Sequence, residues 1–175
     1  HPYTTFQKPS PEHDYWASED VFLPGQSSMH ETALEKLTVM GCPDKPIWYT
    51  EMGWPSYEIT EQDQARFLAR SILLAARDGV EAYYWYTFWD GEPRTTGWRP
   101  HEEYFGLFGW RGDDDPKRVK PAYVTMKALA DRIGDTRFAG ELSERLELPM
   151  DVYAIVFKQE DGTWIAALWD GRDNP

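Results

Sequence analysis

The chain has 175 residues, with 30 Asp and Glu against 18 Lys and Arg and a formal net charge of −12 at pH 7. So acidic a balance argues against nucleic acid and anionic membranes as partners, and no apolar run approaches the roughly 18 residues of a membrane span. A hydrophobic fraction of 41% permits a packed core, and nine Trp and ten Tyr can serve that core or stack on the apolar faces of sugar rings.

Residues 1–26 read as loop, with Pro2, Pro9, Pro11 and Pro24 interrupting any regular structure. A helix is expected over 27–41, capped by Ser27 or Ser28, with Met29, Ala33, Leu34, Leu37 and Met40 at helical spacing and Gly41 and Pro43 as the stop. Cys42 is the only cysteine, so no internal disulfide forms, and its place after an apolar stretch suits a buried thiol. Residues 46–51 read as a short buried strand. Strict alternation puts Ile47, Tyr49 and Glu51 on one face and Trp48 and Thr50 on the other. Thr60 with Asp63 forms a variant capping box ahead of an amphipathic helix to Arg77, whose apolar side carries Phe67, Leu68, Ile72 and Leu73. Residues 80–89 read as a second strand, Asp90 to Lys120 as a long polar loop, and Pro121 to Ile133 as a helix with Pro in its first turn. This alternation points to parallel βα units. Beyond Gly134 the pattern changes: 152–158 and 163–169 read as strands flanking Glu160-Asp161-Gly162, a hairpin signal.

The chemistry concentrates in Trp48-Tyr49-Thr50-Glu51-Met52-Gly53-Trp54-Pro55-Ser56. Glu51 ends its strand, and in parallel barrels the C-terminal strand ends carry the reacting groups. A carboxylate there is costly in a closed core and useful in a wet pocket. Nearby Tyr hydroxyls can hold it ionised. The plain alternative is a capping carboxylate just past a strand. His1, His13, His30 and Cys42 lack zinc spacing, and Asp113-Asp114-Asp115 lacks that of a calcium loop. No phosphate-binding glycine loop or Gly-x-Ser-x-Gly occurs. No metal or cofactor is therefore expected. Arg111-Gly112-Asp113 reads as a chance match in a charged loop.

This stretch resembles the seventh-strand signature of clan A glycoside hydrolases, in which Thr-Glu-x-Gly-Trp or a close variant carries the nucleophile. Glu51 to Ser56 is also similar to the plant-type β-1,3-glucanases. Tyr84-Trp85-Tyr86 resembles the eighth strand. Glu103-Tyr104-Phe105-Gly106-Leu107-Phe108 and Lys120-Pro121-Ala122-Tyr123 resemble the eighth loop and helix, and His1-Pro2-Tyr3 resembles the sixth-strand His-x-Tyr. The resemblance covers roughly residues 1–133. It implies an α/β chain: the C-terminal part of a (β/α)8 barrel over 1–134, followed by the start of an all-β, sandwich-like domain over 135–175. It further implies a retaining glycosidase acting on a carbohydrate substrate. Glu51 would attack the anomeric carbon, Tyr3 would hydrogen-bond it and His1 would touch substrate. Trp85 would floor the sugar site, with Trp89 on the same strand face, and Trp54 and Trp98 near the pocket mouth.

Retaining hydrolysis requires a second carboxylate about 5–5.5 Å from the first. In clan A this acid/base follows an Asn, and the only Asn here is Asn174. The resemblance therefore places the acid/base, with the N-terminal half of the barrel, upstream of residue 1. Glu58, Glu92, Glu102 and Glu103 are the loop carboxylates that could substitute. The segment alone is expected to be inactive. Export, whether secretion or to a periplasm, stays open, since His1-Pro2-Tyr3 reads as domain interior. Two other readings remain: a non-catalytic carbohydrate-binding relative of the same barrel, and a module that folds alone.

Overall fold

The computed structural model describes residues 29–57, 59–93, 97, 100–110, 118–143, 145–149 and 151–172. The expectations for His1, Tyr3, His13, Glu58, Trp98 and the Arg111–Asp115 run lie outside the described residues. In chain order the elements are α1 (Met29–Val39), β1 (Trp48–Met52), α2 (Glu61–Arg77), β2 (Ala82–Trp85), a 3-10 turn (Pro100–Tyr104), α3 (Pro121–Ile133), β3 (Thr136–Glu141), β4 (Val152–Gln159) and β5 (Trp164–Asp170).

Helix α2 is the central element. The Thr60 hydroxyl accepts from the Asp63 backbone N–H at 3.1 Å and donates to the Asp63 carboxylate at 2.5 Å. The return bond of an ordinary capping box goes to the cap's backbone N–H; here the shorter Asp reaches the cap's hydroxyl instead. At the other end Gly79 takes a positive φ of 75°, and the Val80 N–H closes on the Ala75 carbonyl at 2.9 Å. A glycine in the left-handed region is the usual way to end a helix.

The helix connects β1 to β2, which pair in parallel. A parallel pair needs such a crossover. The strand expected over 80–89 is shorter than its composition suggests. The regular strand is Ala82–Trp85, and the Tyr86–Thr87 peptide is cis. The chain then turns to meet Phe105 and Phe108, with the Thr87 N–H on the Phe105 carbonyl at 3.3 Å and an isolated bridge between Trp89 and Phe108.

Strands β3, β4 and β5 form an antiparallel sheet in that order. The β4–β5 hairpin registers Lys158 with Trp164 around Gly162, as the Glu160-Asp161-Gly162 signal predicts. Strand β3 has no counterpart in the sequence reading. The sheet lays Ile155 and Phe157 against Leu73 of α2, with Leu129 and Ile133 of α3 alongside. Buried Arg70 of α2 donates to the Gly171 carbonyl at 3.0 Å. The change of character at Gly134 is thus a change from helix to sheet, and the apolar cluster runs across it. A second cluster joins Ala65 and Leu68 to Leu107 and Ala122, and a third joins Met52 and Trp54 to Phe67. Each fully buried large apolar side chain contributes about 1.5–3 kcal/mol. Among the described residues no helix is long and apolar enough to cross a membrane.

Candidate active site

The position of Glu51 follows from an irregularity in β1. Tyr49 registers with Tyr83, and Met52 registers with Trp85. Three steps along β1 therefore match two along β2, so Thr50 and Glu51 together lie across from Tyr84. This is a β-bulge, which re-aims side chains and recurs beside active sites. Tyr49 approaches His30 of α1, with ring centroids 6.3 Å apart, and Tyr83, at 6.4 Å. The Tyr83 hydroxyl lies 2.7 Å from Ser71 Oγ on α2. Met52 packs with Phe67 of α2. Tyr49, Tyr83 and Met52 thus face the helices. Glu51 shares the opposite side with Thr50 and exposed Tyr84. Strict alternation, which grouped Glu51 with Tyr49 and Ile47, is corrected by the bulge.

Gly53 makes the bulge compatible with β2. A Cβ at this position would lie 2.2 Å from the Tyr86 carbonyl oxygen, so only glycine admits so close an approach. Just before it, the Met52 carbonyl accepts from the Tyr86 N–H at 2.8 Å. Residue 86 is thereby held beside the end of β1.

Tyr86 is the side chain that gathers the acidic groups. Burial raises its phenol pKa above the ordinary value, and the negative charges of Glu102, Glu51 and Glu103 raise it further, as does a hydrogen bond to Glu102. The hydroxyl is therefore protonated throughout the neutral range and acts as a donor. Its ring meets Phe105 edge-on at 5.2 Å. Glu102 and Glu103 come from the 3-10 turn. The Glu103 carbonyl accepts from the Gly91 N–H at 2.9 Å, and its carboxylate lies over Gly91, where a Cβ would be 1.5 Å from Oε2. His101 Nε2 stands 3.7 Å from Glu102 Oε1.

The tryptophans lie elsewhere than expected. Trp85 packs with Ala65, Leu68, Met52 and Phe67, between strand and helices, and its indole N–H donates to the Phe105 carbonyl at 2.9 Å. It is a packing residue, because its register opposite Met52 turns it toward α2. Trp54 is only 4% exposed and stacks obliquely near Phe67 and Trp85, at 5.8 and 6.0 Å. It belongs to the core and not to a pocket mouth. Trp89 lies beyond the end of β2, so it does not share a strand face with Trp85; its ring packs 4.6 Å from Phe108 and 5.3 Å from Phe88. Glu92 is exposed. In the sequence Tyr86 stands in an unbroken β-forming run, Ala82 to Trp89, with no local signal to set it apart from Trp85. Tyr86 follows Trp85 directly, just past the end of β2, and the charge of Glu51 reaches it. Among the described residues no group of three His, Cys, Asp or Glu side chains could hold a metal ion.

The arrangement sets a carboxylate at the C-terminal end of a parallel strand, on the side away from the helices. The Tyr86 phenol, a neutral donor, feels the charge of this carboxylate together with those of Glu102 and Glu103. Negative charges of this kind favour positive charge developing nearby, and carboxylates with a phenol are groups able to hydrogen-bond a hydroxyl-bearing ligand.

No family model and no curated protein matches the chain. Among solved structures, a family 39 glycoside hydrolase from the gut symbiont Bacteroides cellulosilyticus WH2 is similar, with a TM-score of 0.57 and 26% identity over 73% of this chain. A GH5_18 protein from Bifidobacterium longum subsp. infantis aligns over 51% of the chain at 24% identity and a TM-score of 0.43. A GH5_18 protein from Bifidobacterium longum subsp. longum, solved in complex with Manβ1-4GlcNAc, aligns over 60% at 20% identity and a TM-score of 0.44. The chain spans about a quarter of the length of these proteins, covering 24%, 20% and 25% of them. The structural neighbours are thus glycoside hydrolases, matched in part.

Proposed function

We propose that the chain is the C-terminal part of a (β/α)8 glycoside hydrolase barrel over residues 1–134, followed by the start of a β-sandwich over 135–175. In this reading it supplies Glu51 as the nucleophile of a retaining double displacement on a carbohydrate substrate. The observation that carries it is the register irregularity at the end of β1, which sets Glu51 on the side away from the helices. The similarity to a family 39 glycoside hydrolase supports it.

In the first step the Glu51 carboxylate attacks the anomeric carbon. The bond to the leaving-group oxygen breaks as a second carboxylic acid protonates it. In the second step the same group, now a carboxylate, takes a proton from water, whose oxygen displaces Glu51. The resemblance assigns the acid/base to a segment outside residues 1–175. The transition state carries positive charge at the anomeric centre, which the acidic cluster stabilises. Within that cluster Tyr86 donates a hydrogen bond from its hydroxyl to Glu102. It takes over from Trp85 the place of the sugar-facing aromatic. His1 and Tyr3 keep the substrate-contact and nucleophile-bonding roles that the resemblance gives them.

The test is turnover of aryl glycosides by the full-length protein and its Glu51→Ala variant, with and without sodium azide. The variant should lose turnover by orders of magnitude. Azide should restore it and yield a glycosyl azide of inverted anomeric configuration. Undiminished turnover in Glu51→Ala would refute the assignment, and saccharide binding without turnover in the unmutated protein would favour the carbohydrate-binding reading.

A further inference from the structure

Lys120 ends the long loop and immediately precedes α3, yet its side chain is completely buried. Its ammonium donates to Ser56 Oγ at 2.9 Å, to the Tyr104 carbonyl at 3.1 Å and to both oxygens of Asp90 at 3.1 and 3.2 Å. These acceptors come from three separate segments: the loop after β1, the loop after β2 and the end of the 3-10 turn. The Tyr104 carbonyl also accepts from the Ser56 N–H at 3.0 Å and from Gln64 Nε2 at 3.2 Å. Asp90 in turn accepts from the Gly106 N–H at 2.6 Å.

A buried ammonium is hard to justify on stability alone, because desolvation offsets most of what an internal ion pair gains. Burial pushes Lys120 down and Asp90 up, each toward its neutral form, and the attraction between them opposes this. What the pair supplies is geometry. It is a single point to which the segment carrying Glu102 and Glu103 and the loop following Glu51 are both tied.

We infer that Lys120 is a positioning residue of the proposed glycosidase site, fixing residues 100–106 against the end of β1 so that Glu102 and Glu103 stay beside Tyr86 and Glu51. It touches no substrate. The inference rests on the reading of Glu51 as nucleophile, and the experiment separates the two.

The experiment compares Lys120→Met and the double variant Lys120→Met/Asp90→Asn with the unmutated full-length protein. The double variant leaves no unpaired buried charge and guards against simple unfolding of the single one. Amide hydrogen exchange over 100–107 should rise at least about tenfold in the double variant, while α2 and β4 exchange as before. The rate at which an activated fluoro-sugar labels Glu51 should fall on the order of a hundredfold, the scale of a misplacement of about 1 Å. Exchange that rises equally across α2 and β4 would reduce Lys120 to a general structural role and overturn the inference. So would unchanged exchange over 100–107, or a loosened segment with an unchanged labelling rate. If the unmutated protein is never labelled at Glu51, the glycosidase reading fails. The exchange pattern then still decides whether Lys120 holds the segment.

Discussion

Gly53→Ala perturbs the junction of β1 and β2 by one methyl group, and its effect follows from distances. The added carbon would lie 2.2 Å from the Tyr86 carbonyl oxygen, 3.3 Å from the Tyr86 carbonyl carbon and 3.1 Å from Phe105 Cδ1. Even tight Cβ contacts lie at 3.0–3.4 Å, so something must yield by about 1 Å. The first obstacle is backbone and cannot rotate away. The strand ends must separate, which stretches the 2.8 Å bond from the Tyr86 N–H to the Met52 carbonyl. Overpacking of this kind costs about 1–3 kcal/mol, and a rigid obstacle argues for the upper half of that range. The urea midpoint should fall with the slope unchanged. The Gly79→Ala variant is the control. Nothing lies within 4 Å of its added carbon, and the cost comes only from the positive φ of 75°, about 1–2 kcal/mol. Gly79→Ala should leave Tyr86 undisturbed, whereas Gly53→Ala should shift the alkaline titration of Tyr86. A Gly53→Ala protein within about 0.5 kcal/mol of the original, the range of ordinary surface changes, would refute the close approach.

Phe157 is 1% exposed and joins the antiparallel sheet to α2 and α3. Phe157→Ala should cost about 3–5 kcal/mol in urea unfolding, and a loss under 1 kcal/mol would mean the sheet is not docked there. Thr60→Ala should cost about 1 kcal/mol through the lost cap. The Asp63 pKa is lowered, chiefly by the hydrogen bond from Thr60. That contribution is present above the ordinary carboxylate pKa and disappears as pH falls through the depressed folded value. The difference between Thr60→Ala and the original should therefore narrow in acid, and a constant difference would count against the bond. For Tyr86 the sign is opposite. Its folded pKa is raised, so its contribution is complete below the ordinary tyrosine value of about 10 and is lost as pH rises beyond it. The unmutated protein should lose more stability than Tyr86→Phe as pH rises above about 10, the unperturbed phenol value. Parallel curves would remove the carboxylates from its surroundings.

The elements governed by local chemistry were legible in the sequence. Helix α2 begins at the residue its cap marks, and α3 begins at Pro121. The β4–β5 hairpin closes where Asp161-Gly162 signals a turn. What escaped the sequence depends on pairing between distant segments. A bulge is a mismatch between two strands, so nothing within Trp48–Met52 announces it, and alternation sent Glu51 to the wrong face. Thr87 to Trp89 has β-forming composition, but its backbone partners come from Phe105, Leu107 and Phe108. Strand β3, Thr-Arg-Phe-Ala-Gly-Glu, lacks an alternating pattern and is a strand because β4 pairs with it, across an irregularity between Phe138 and Gly140. Trp54 stands among Gly53, Pro55 and Ser56, residue types common in turns, yet the Gln64 amide holds its carbonyl at 2.6 Å and its ring packs with Phe67. Lys120 and Asp90 are separated by 30 positions, and each looks like an ordinary surface charge until the loop brings them together.

The central claim is that Glu51 is the residue that bonds to sugar. The most direct measurement is to incubate the full-length protein with a panel of activated fluoro-sugars, whose glycosyl-enzyme intermediates turn over slowly. The labelled residue is then located by peptide mass spectrometry. The account predicts a single glycosyl adduct on the peptide containing Glu51, absent from Glu51→Gln. An adduct on Glu102, Glu103 or any other carboxylate would contradict it.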